Sequence, residues 1–507
     1  MKYSILSNFH TVFSVIDLVK VLYTISMLAL AVYGIYSFIL LVFWFTRGRK
    51  SGQVEEGIDK SDWPMVTIQL PVYNEGNVVP RLLKSITALD YPKDLLQIQV
   101  LDDSTDNSTN EIKKMVEFYA DAGFDIKLIH RNVRTGFKAG ALSEGLKEAK
   151  GEYIAIFDAD FLPSQDWLKR VLPALDDKTI GFVQTRWGHL NADYNLLTRI
   201  IAFILNGHFY IEQSARSSHG LFMGFNGTAG VWRKSCIDDA GGWQADTLTE
   251  DLDLSYRAQL HGWKSLFLPG VEVPAELPVT IQAFKQQQYR WAKGGIQTAK
   301  KLFPRLAGAK ISRKLRWMGF VHLWGYLIFA FSLMAFLALI PLSIYSSRFL
   351  DLFLFTLITS FGPPLVYLSA ASVEYPRLVD RLKALPGLMV VASGLSINNT
   401  FAVLEGLFSN KVGEFDRTPK FDIIGTQNRR ILCGRLEKKV DLILIGEVAA
   451  FVYALLGIGL LISLKEWTAI PWVTVYALGF GYMIFGDSFV YLKLLLGREN
   501  RGIKRNA

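Results

Sequence analysis

Hydrophobic and polar positions divide the chain into three stretches. Residues 21–46 carry no charge. At about 1.5 Å rise per residue such a run spans a hydrocarbon core of ~30 Å with some tilt. It is longer than the apolar part of a signal peptide, and Arg47, Arg49 and Lys50 follow it. Both features predict a retained transmembrane helix whose C-terminal end is cytoplasmic. Further apolar runs fill the last third, at 317–347, 352–373, 384–404, 448–464 and 467–486. The pattern predicts an N-terminal segment with the first membrane helix (1–50), a cytoplasmic domain (51–316) and a C-terminal membrane region (317–507).

Within 51–316 the period changes repeatedly. Short β-type runs at 66–70, 97–101, 125–129 and 153–157 alternate with helical patterns at about 77–89, 107–122 and 137–147. That alternation predicts an α/β Rossmann-like domain with a parallel sheet and helices on both faces. Ligands of such sheets sit outside the carboxyl ends of the strands. Tyr73-Asn74-Glu75, Asp102-Asp103 and Asp158-Ala159-Asp160 all fall there. No G-x-G-x-x-G follows the first strand, which disfavours a dinucleotide oxidoreductase.

Charge settles the expected topology. Eight Lys or Arg residues lie in 411–439 and five in the tail from Lys493, so both segments should be cytoplasmic. An even number of crossings must then separate the cytoplasmic domain from 411–439, yet three apolar runs lie between. The run at 384–404 contains Pro386, Gly387, Gly394 and the polar group Ser396-Ile397-Asn398-Asn399-Thr400. The segment at about 384–410 is therefore expected to lie in the interface, or to enter and return. Five crossings remain, with the N-terminus outside and the C-terminus inside.

The formal charge of +9 is concentrated beside the membrane segments and has no basic-aromatic motif with it. It reads as a topology signal and a contact for anionic lipids, not as a nucleic-acid surface. With Cys236 and Cys433 the only cysteines, a cysteine-rich metal site is excluded and a disulfide is not expected.

The chemistry lies in the acids. An isolated D-x-D is most often a capped turn. Directly after a core strand, in a series of strand-end acids, Asp158 and Asp160 suit a hard divalent cation, Mg²⁺ or Mn²⁺, bridging to a diphosphate. Lys138, among Gly136 and Gly140 at a helix start, fits either a phosphate or an ordinary N-terminal cap. In the run Leu248-Thr-Glu-Asp-Leu-Asp-Leu254, Thr249 is expected to cap a helix, with Leu252, Tyr256 and Leu260 facing the core. Glu250 and Asp253 read as helix-start supports.

Together these residues resemble the membrane-integrated family-2 glycosyltransferases. The motifs are Asp102-Asp-Ser-Thr-Asp106, Asp158-Ala-Asp160, Thr249-Glu-Asp251, Gln287-Gln-Tyr-Arg290-Trp291 and Phe415-Asp-Arg-Thr418-Pro-Lys420. The last is similar to the F-x-V-T-x-K gating loop of cellulose synthases, with Arg417 in place of valine. Stretches such as Phe225-Asn-Gly-Thr-Ala-Gly230 look like the plant cellulose-synthase-like A proteins, the mannan and glucomannan synthases. The resemblance implies a GT-A type domain carried by a helical membrane bundle. Tyr73, Glu75 and Asp103 would hold the nucleoside, with Asp102 in support. Lys138, Gln287 and Arg290 would face the diphosphate, Asp158 and Asp160 a metal, and Asp251 would be the general base. Phe225, Asn226, Gly227, Thr228, Glu250 and Trp291 would line the acceptor side, although Trp291 also suits a core. Phe415, Thr418 and Lys420 would close over the nucleotide in a loop at about 411–439.

The implied activity is that of a metal-dependent, inverting, processive β-hexosyltransferase. It would move sugar from UDP-glucose or GDP-mannose to a growing polysaccharide and pass the product through its own bundle, in the plasma membrane. Trp324, Tyr326, Phe329, Tyr476 and Tyr482 would suit a sugar path or simple helix packing. Transfer of one or a few sugars to a membrane lipid is the alternative. A non-catalytic transporter or nucleotide-sugar sensor is a third reading, which the full set of acids disfavours. The short basic tail carries no cyclic-dinucleotide sensor of the bacterial cellulose-synthase kind, so such control in cis is not expected.

Overall fold

The computed structural model describes residues 15–50, 52, 62–345, 361–374, 377–409, 412–413, 418–425 and 441–503. Seven strands form one sheet in the order β3-β2-β1-β4-β6-β5-β7. They are β1 (Val66–Val72), β2 (Leu96–Asp102), β3 (Asp125–His130), β4 (Tyr153–Ile156), β5 (Ile180–His189), β6 (Gly230–Arg233) and β7 (Lys264–Ala275). The first four are parallel to one another. The parallel expectation ends there: β6 runs antiparallel to both β4 and β5, so the sheet is mixed. The reversal brings the 224–229 segment, which leads into β6, to the same edge as the end of β4.

The alternation in β1 and β2 buries both faces, for different reasons. Val66, Ile68, Leu70, Ile98 and Val100 join one apolar core with Leu82, Leu83 and Ile86 of the helix Val79–Thr87. On the other face Thr67 donates to Gln97 (2.8 Å) and Gln69 to Gln99 (3.0 Å), with all four side chains buried. This polar ladder lies under the helix Phe137–Lys147 at Gly145, where a Cβ would come within 2.6 Å of the Gln69 amide. These hydrogen bonds lower the cost of burying the polar face, although Gln69 Oε1 and Gln99 Nε2 have no partner among the described residues. They also fix how the Lys138 helix sits on the sheet.

Four described helices are long and apolar enough to cross a membrane: Val15–Thr46, Leu327–Ile344, Leu382–Phe408 and Leu442–Ser463. On the first, Ile25, Leu28, Val32, Phe38 and Phe45 are exposed while Tyr36, Leu40 and Trp44 are buried. Expected run 317–347 is broken at 324–326 into Arg313–Leu323 and Leu327–Tyr345. Run 467–486 lies mostly within the helix Ile470–Ile503, and much of 352–373 lies outside the described residues.

The segment expected to lie in the interface or to enter and return forms one continuous helix, Leu378–Phe408, so it makes no return. Its polar group faces protein. Ser396, Asn398 and Asn399 are buried, and Asn398 donates to the Lys285 carbonyl at 3.1 Å. Gly394 meets the backbone of Gly479 so closely that a Cβ there would lie 2.6 Å from its carbonyl oxygen. Small residues at such a crossing let two helix backbones approach. Of the aromatic residues proposed for a sugar path, Tyr476 stacks on Phe336 at 4.3 Å, and Trp324 packs on Phe303 and Phe320. Tyr326 stacks on Phe329 at 6.3 Å, and Tyr482 packs with Met483 and Phe329.

Candidate active site

One cavity opens at the carboxyl ends of β1, β2 and β4. Tyr73, Glu75, Asp103, Lys138, Asp158, Asp160, Asn226, Gly227, Glu250, Asp251, Gln287, Arg290, Trp291, Thr418 and Lys420 all line it. Residues from six separate motifs thus share one wall. Phe415 and Arg417 lie outside the described residues.

The acids at the end of β2 divide their work. Asp102 is fully buried and accepts from Ser104 N (3.0 Å), Thr109 Oγ1 (2.7 Å) and His130 Nδ1 (2.8 Å), so it shapes the turn. Asp103 faces the cavity and is gripped by Arg131 through two bonds, 2.7 and 2.6 Å. Arg134 lies over the Tyr73 ring at 3.6 Å, building a flat cationic-aromatic platform beside Asp103. Neither arginine stands out in the sequence, because each acts through residues of another strand end.

Asp158 and Asp160 each meet a lysine. Lys138 Nζ donates to Asp158 Oδ1 and, at 3.0 Å, to the Gly227 carbonyl. Lys420 Nζ donates to Asp160 Oδ2 at 2.7 Å. Burial works to lower both ammonium groups. The carboxylates win, Asp158 with Glu250 and Asp251 around Lys138 and Asp160 with Glu276 and Glu75 around Lys420, and both pKa values are raised. Lys138 is therefore drawn into the site and does not serve as a helix cap. No group of three or more His, Cys, Asp or Glu side chains placed to hold a metal ion occurs among the described residues. Two strand-end carboxylates whose oxygens already point at cations do fit a hard ion that shares its remaining positions with phosphate and water.

Glu276, directly after β7, is a site residue that no motif announced. It is buried, and its backbone N–H donates to Asp160 Oδ2 at 3.0 Å. Its carboxylate accepts from Phe421 N (2.7 Å), Ile423 N (3.3 Å) and Arg81 Nη2 (3.2 Å). Arg81 also pairs with Asp422 at 2.7 Å, and Asn77 donates to the Lys420 carbonyl at 3.0 Å. These contacts seat the 418–425 segment over the cavity. The Thr418 hydroxyl is buried there without a partner among the described residues.

The helix Glu250–Leu260 begins as its sequence predicts, and Tyr256 is fully buried against Phe222. Its cap differs: the Thr249 hydroxyl meets Thr298 at 3.0 Å and makes no cap bond. Asp253 is not solvated. It is fully buried between Arg257 (2.8 Å) and Lys301 (2.9 Å). Burial raises the Asp251 carboxyl to about 7, with the charge of Glu250 adding to it and Lys138 opposing. Burial thus outweighs the pull of the helix dipole toward the ionised form. Glu250 is raised as well, by burial first, against Lys138. Gly227 (φ +80°) lets the loop pass close by, since a Cβ there would lie 3.0 Å from Asp251 Oδ2.

The expected acceptor wall is only partly assembled at the cavity. Asn226, Gly227, Glu250 and Trp291 reach it, with Trp291 6.5 Å from Trp187, another lining residue. Phe225 packs instead on Phe182 and Trp232 in the core. Thr228 is buried and accepts from Asp158 N at 2.8 Å, so it orders the metal-side turn.

Comparisons with known proteins identify the domain that carries this cavity. Residues 64–294 match the model of the family described as glycosyltransferase like family 2. Residues 64–294 are a family-2 glycosyltransferase domain. The chain is 45% identical over 267 residues to a probable glucomannan 4-beta-mannosyltransferase 11 of Oryza sativa subsp. japonica, covering 52% of this chain and 46% of that protein. It is 44% identical over 256 residues to glucomannan 4-beta-mannosyltransferase 2 of Arabidopsis thaliana, covering 49% and 47%. The chain thus spans about half the length of the curated relatives it matches. Among solved structures, a mannosyltransferase from Pyrobaculum calidifontis in complex with GDP-Man and Mn2+ superposes with a TM-score of 0.53 at 21% identity, over 77% of this chain and 100% of that one. That likeness establishes the GT-A type fold of the family-2 domain.

Proposed function

We propose that this chain is an inverting β-hexosyltransferase that extends a polysaccharide from a nucleotide-activated hexose, with GDP-mannose the first donor to test and UDP-glucose the second. The observation that carries the reading is Asp251, raised to about 7 in the same cavity as Lys138, Asp158 and Asp160. A base needs such a value near the operating pH. Asp251 takes the proton of an acceptor hydroxyl as that oxygen bonds to the anomeric carbon, and the bond from that carbon to the diphosphate oxygen breaks. Lys138, Arg290 and Lys420 neutralise the departing nucleoside diphosphate. Direct displacement of an α-linked donor yields a β-linkage. A divalent ion at Asp158 and Asp160 would supply further charge withdrawal from the leaving group. The named activity of the plant relatives favours mannosyl transfer. Four helices long and apolar enough to cross a membrane support an integral membrane protein, and on our reading they carry the product across the plasma membrane.

The test is the purified protein with a panel of nucleotide sugars, Mn²⁺ and a β-linked oligosaccharide acceptor. Release of nucleoside diphosphate with label in insoluble polymer is expected. Label only in the lipid extract would make the chain a lipid glycosyltransferase, and no release at all would end the enzyme reading.

The seated 418–425 segment adds a second expectation. Glu276→Ala removes the charged acceptor that holds Phe421 and Ile423, and hydrogen bonds to charged groups contribute about 1.5–3 kcal/mol. Donor KM should rise by about tenfold or more. Glu276→Gln, which keeps an acceptor oxygen, should lose less. Equal donor KM in wild type and both variants would separate this segment from donor binding.

A further inference from the structure

The helix Leu196–Asn206 does not stop at its end. It widens into a π-helical turn, Gly207–Gln213, and resumes as Ser214–Ser218. Such wide turns inside a helix are rare and occur often at functional sites. Here the turn aims His208 and Gln213 at Asn226 on the cavity wall.

The hydrogen bonds among these side chains allow only one assignment. Gln213 Nε2 meets the Gly224 carbonyl at 2.9 Å and Asn226 Oδ1 at 2.7 Å. The carbonyl can only accept, so Gln213 presents its NH₂ to both. Asn226 must then turn its oxygen to Gln213 and its NH₂ to His208 Nε2, 3.1 Å away. An NH₂ facing a ring nitrogen requires that nitrogen to accept. The His208 proton therefore sits on Nδ1, which faces Glu212 Oε2 at 3.1 Å. The Glu212 carboxylate is the acceptor that Nδ1–H faces. The Asn226 backbone is pinned too, its N–H donating to Gln184 Oε1 at 2.8 Å. Asn226 directly precedes Gly227, the residue that closes on Asp251.

We propose that Glu212, His208 and Gln213 form a positioning relay that locks the Asn226 amide so that its second N–H meets the acceptor sugar beside Asp251. The inference rests on the glycosyltransferase reading. His208 and Glu212 are positioning residues: they act on the acceptor through Asn226 and make no contact with the donor end of the cavity. The ligand class is a hydroxyl-bearing glycan terminus, and the relay sets which of its hydroxyls faces the base.

The test compares wild type, His208→Phe and His208→Gln with a soluble β-linked oligosaccharide acceptor, measuring acceptor KM, donor KM and product linkage in one preparation of each. His208→Phe should raise acceptor KM about tenfold, roughly the effect of one lost hydrogen bond, with donor KM within about twofold. Some product should carry a different linkage. His208→Gln, whose amide oxygen can accept from Asn226, should recover most of the loss. A His208→Phe variant that raises donor and acceptor KM alike, or a glutamine variant no better than phenylalanine, would overturn the relay and leave the base and metal assignments standing. A wild type that releases no nucleoside diphosphate would instead sink the enzyme reading and the relay with it.

Discussion

Replacing Asp251 with asparagine is expected to slow sugar transfer by about 10²–10⁴-fold, the usual contribution of a general base. Donor affinity should survive. The amide is nearly isosteric, can still accept from Leu252 N as Asp251 Oδ1 does at 2.8 Å, and removes one of the carboxylates around Lys138. The lysine keeps Asp158 and Glu250, so the phosphate end of the cavity stays intact. The pH profile gives an independent check. A carboxyl raised to about 7 is protonated below that value and ionised above it. Only the ionised form can take a proton, so acceptor-dependent transfer should fall about tenfold for each pH unit below 7 and level off above it. Donor binding, followed by displacement of a fluorescent nucleotide, should not track that limb. If the asparagine variant transfers sugar at a rate comparable to wild type, Asp251 is a helix-start acid and the base lies elsewhere.

Much of this site was readable because its residues stand where chain direction alone places them. β1, β2 and β4 each end within three residues of an acid, and a parallel arrangement brings those ends together whatever the loops do. The proposed base, Asp251, was reached from a local motif at a helix start. The residues that escaped are those whose meaning is a contact across the chain. Arg131 and Arg134 are ordinary surface arginines until β3 places them beside Asp103 and Tyr73. Glu276 becomes legible only when the segment from 418 folds back onto Arg81. The errors have the same origin. Ser396, Asn398 and Asn399 suggested a segment that enters and returns because polarity in an apolar run has two physical outlets, headgroups or protein, and only packing shows that these side chains meet protein. Thr249 read as a cap because sequence cannot show that Thr298 competes for its hydroxyl.

Asp160→Asn should give the second large loss, roughly a hundredfold or more in transfer, since charge stabilisation at a metal-bridged leaving group amounts to several kcal/mol. Chelation of the wild type should produce a loss of the same order, restored by Mn²⁺ or Mg²⁺. The structure explains why the protein can keep two acids here. Each is neutralised in place by its own lysine, Lys138 on Asp158 and Lys420 on Asp160, so neither carboxylate is left as an unpaired buried charge. Asp158 and Asp160 would hold a divalent ion, and Lys138 and Lys420, no longer needed to neutralise them, would then face the donor phosphates, so ion and diphosphate should bind together. Calorimetry reads this without any turnover. Mn²⁺ should bind wild type weakly alone and at least about tenfold more tightly with a nucleoside diphosphate present, a coupling of about 1.4 kcal/mol. Asp160→Asn should abolish that coupling. Lys420→Ala should strengthen Mn²⁺ binding in the absence of nucleotide, because the competing cation is gone, while weakening the diphosphate. Mn²⁺ binding that is unchanged by Asp160→Asn would show that the acids serve the lysines alone, and transfer would then have to proceed on lysine and arginine charge.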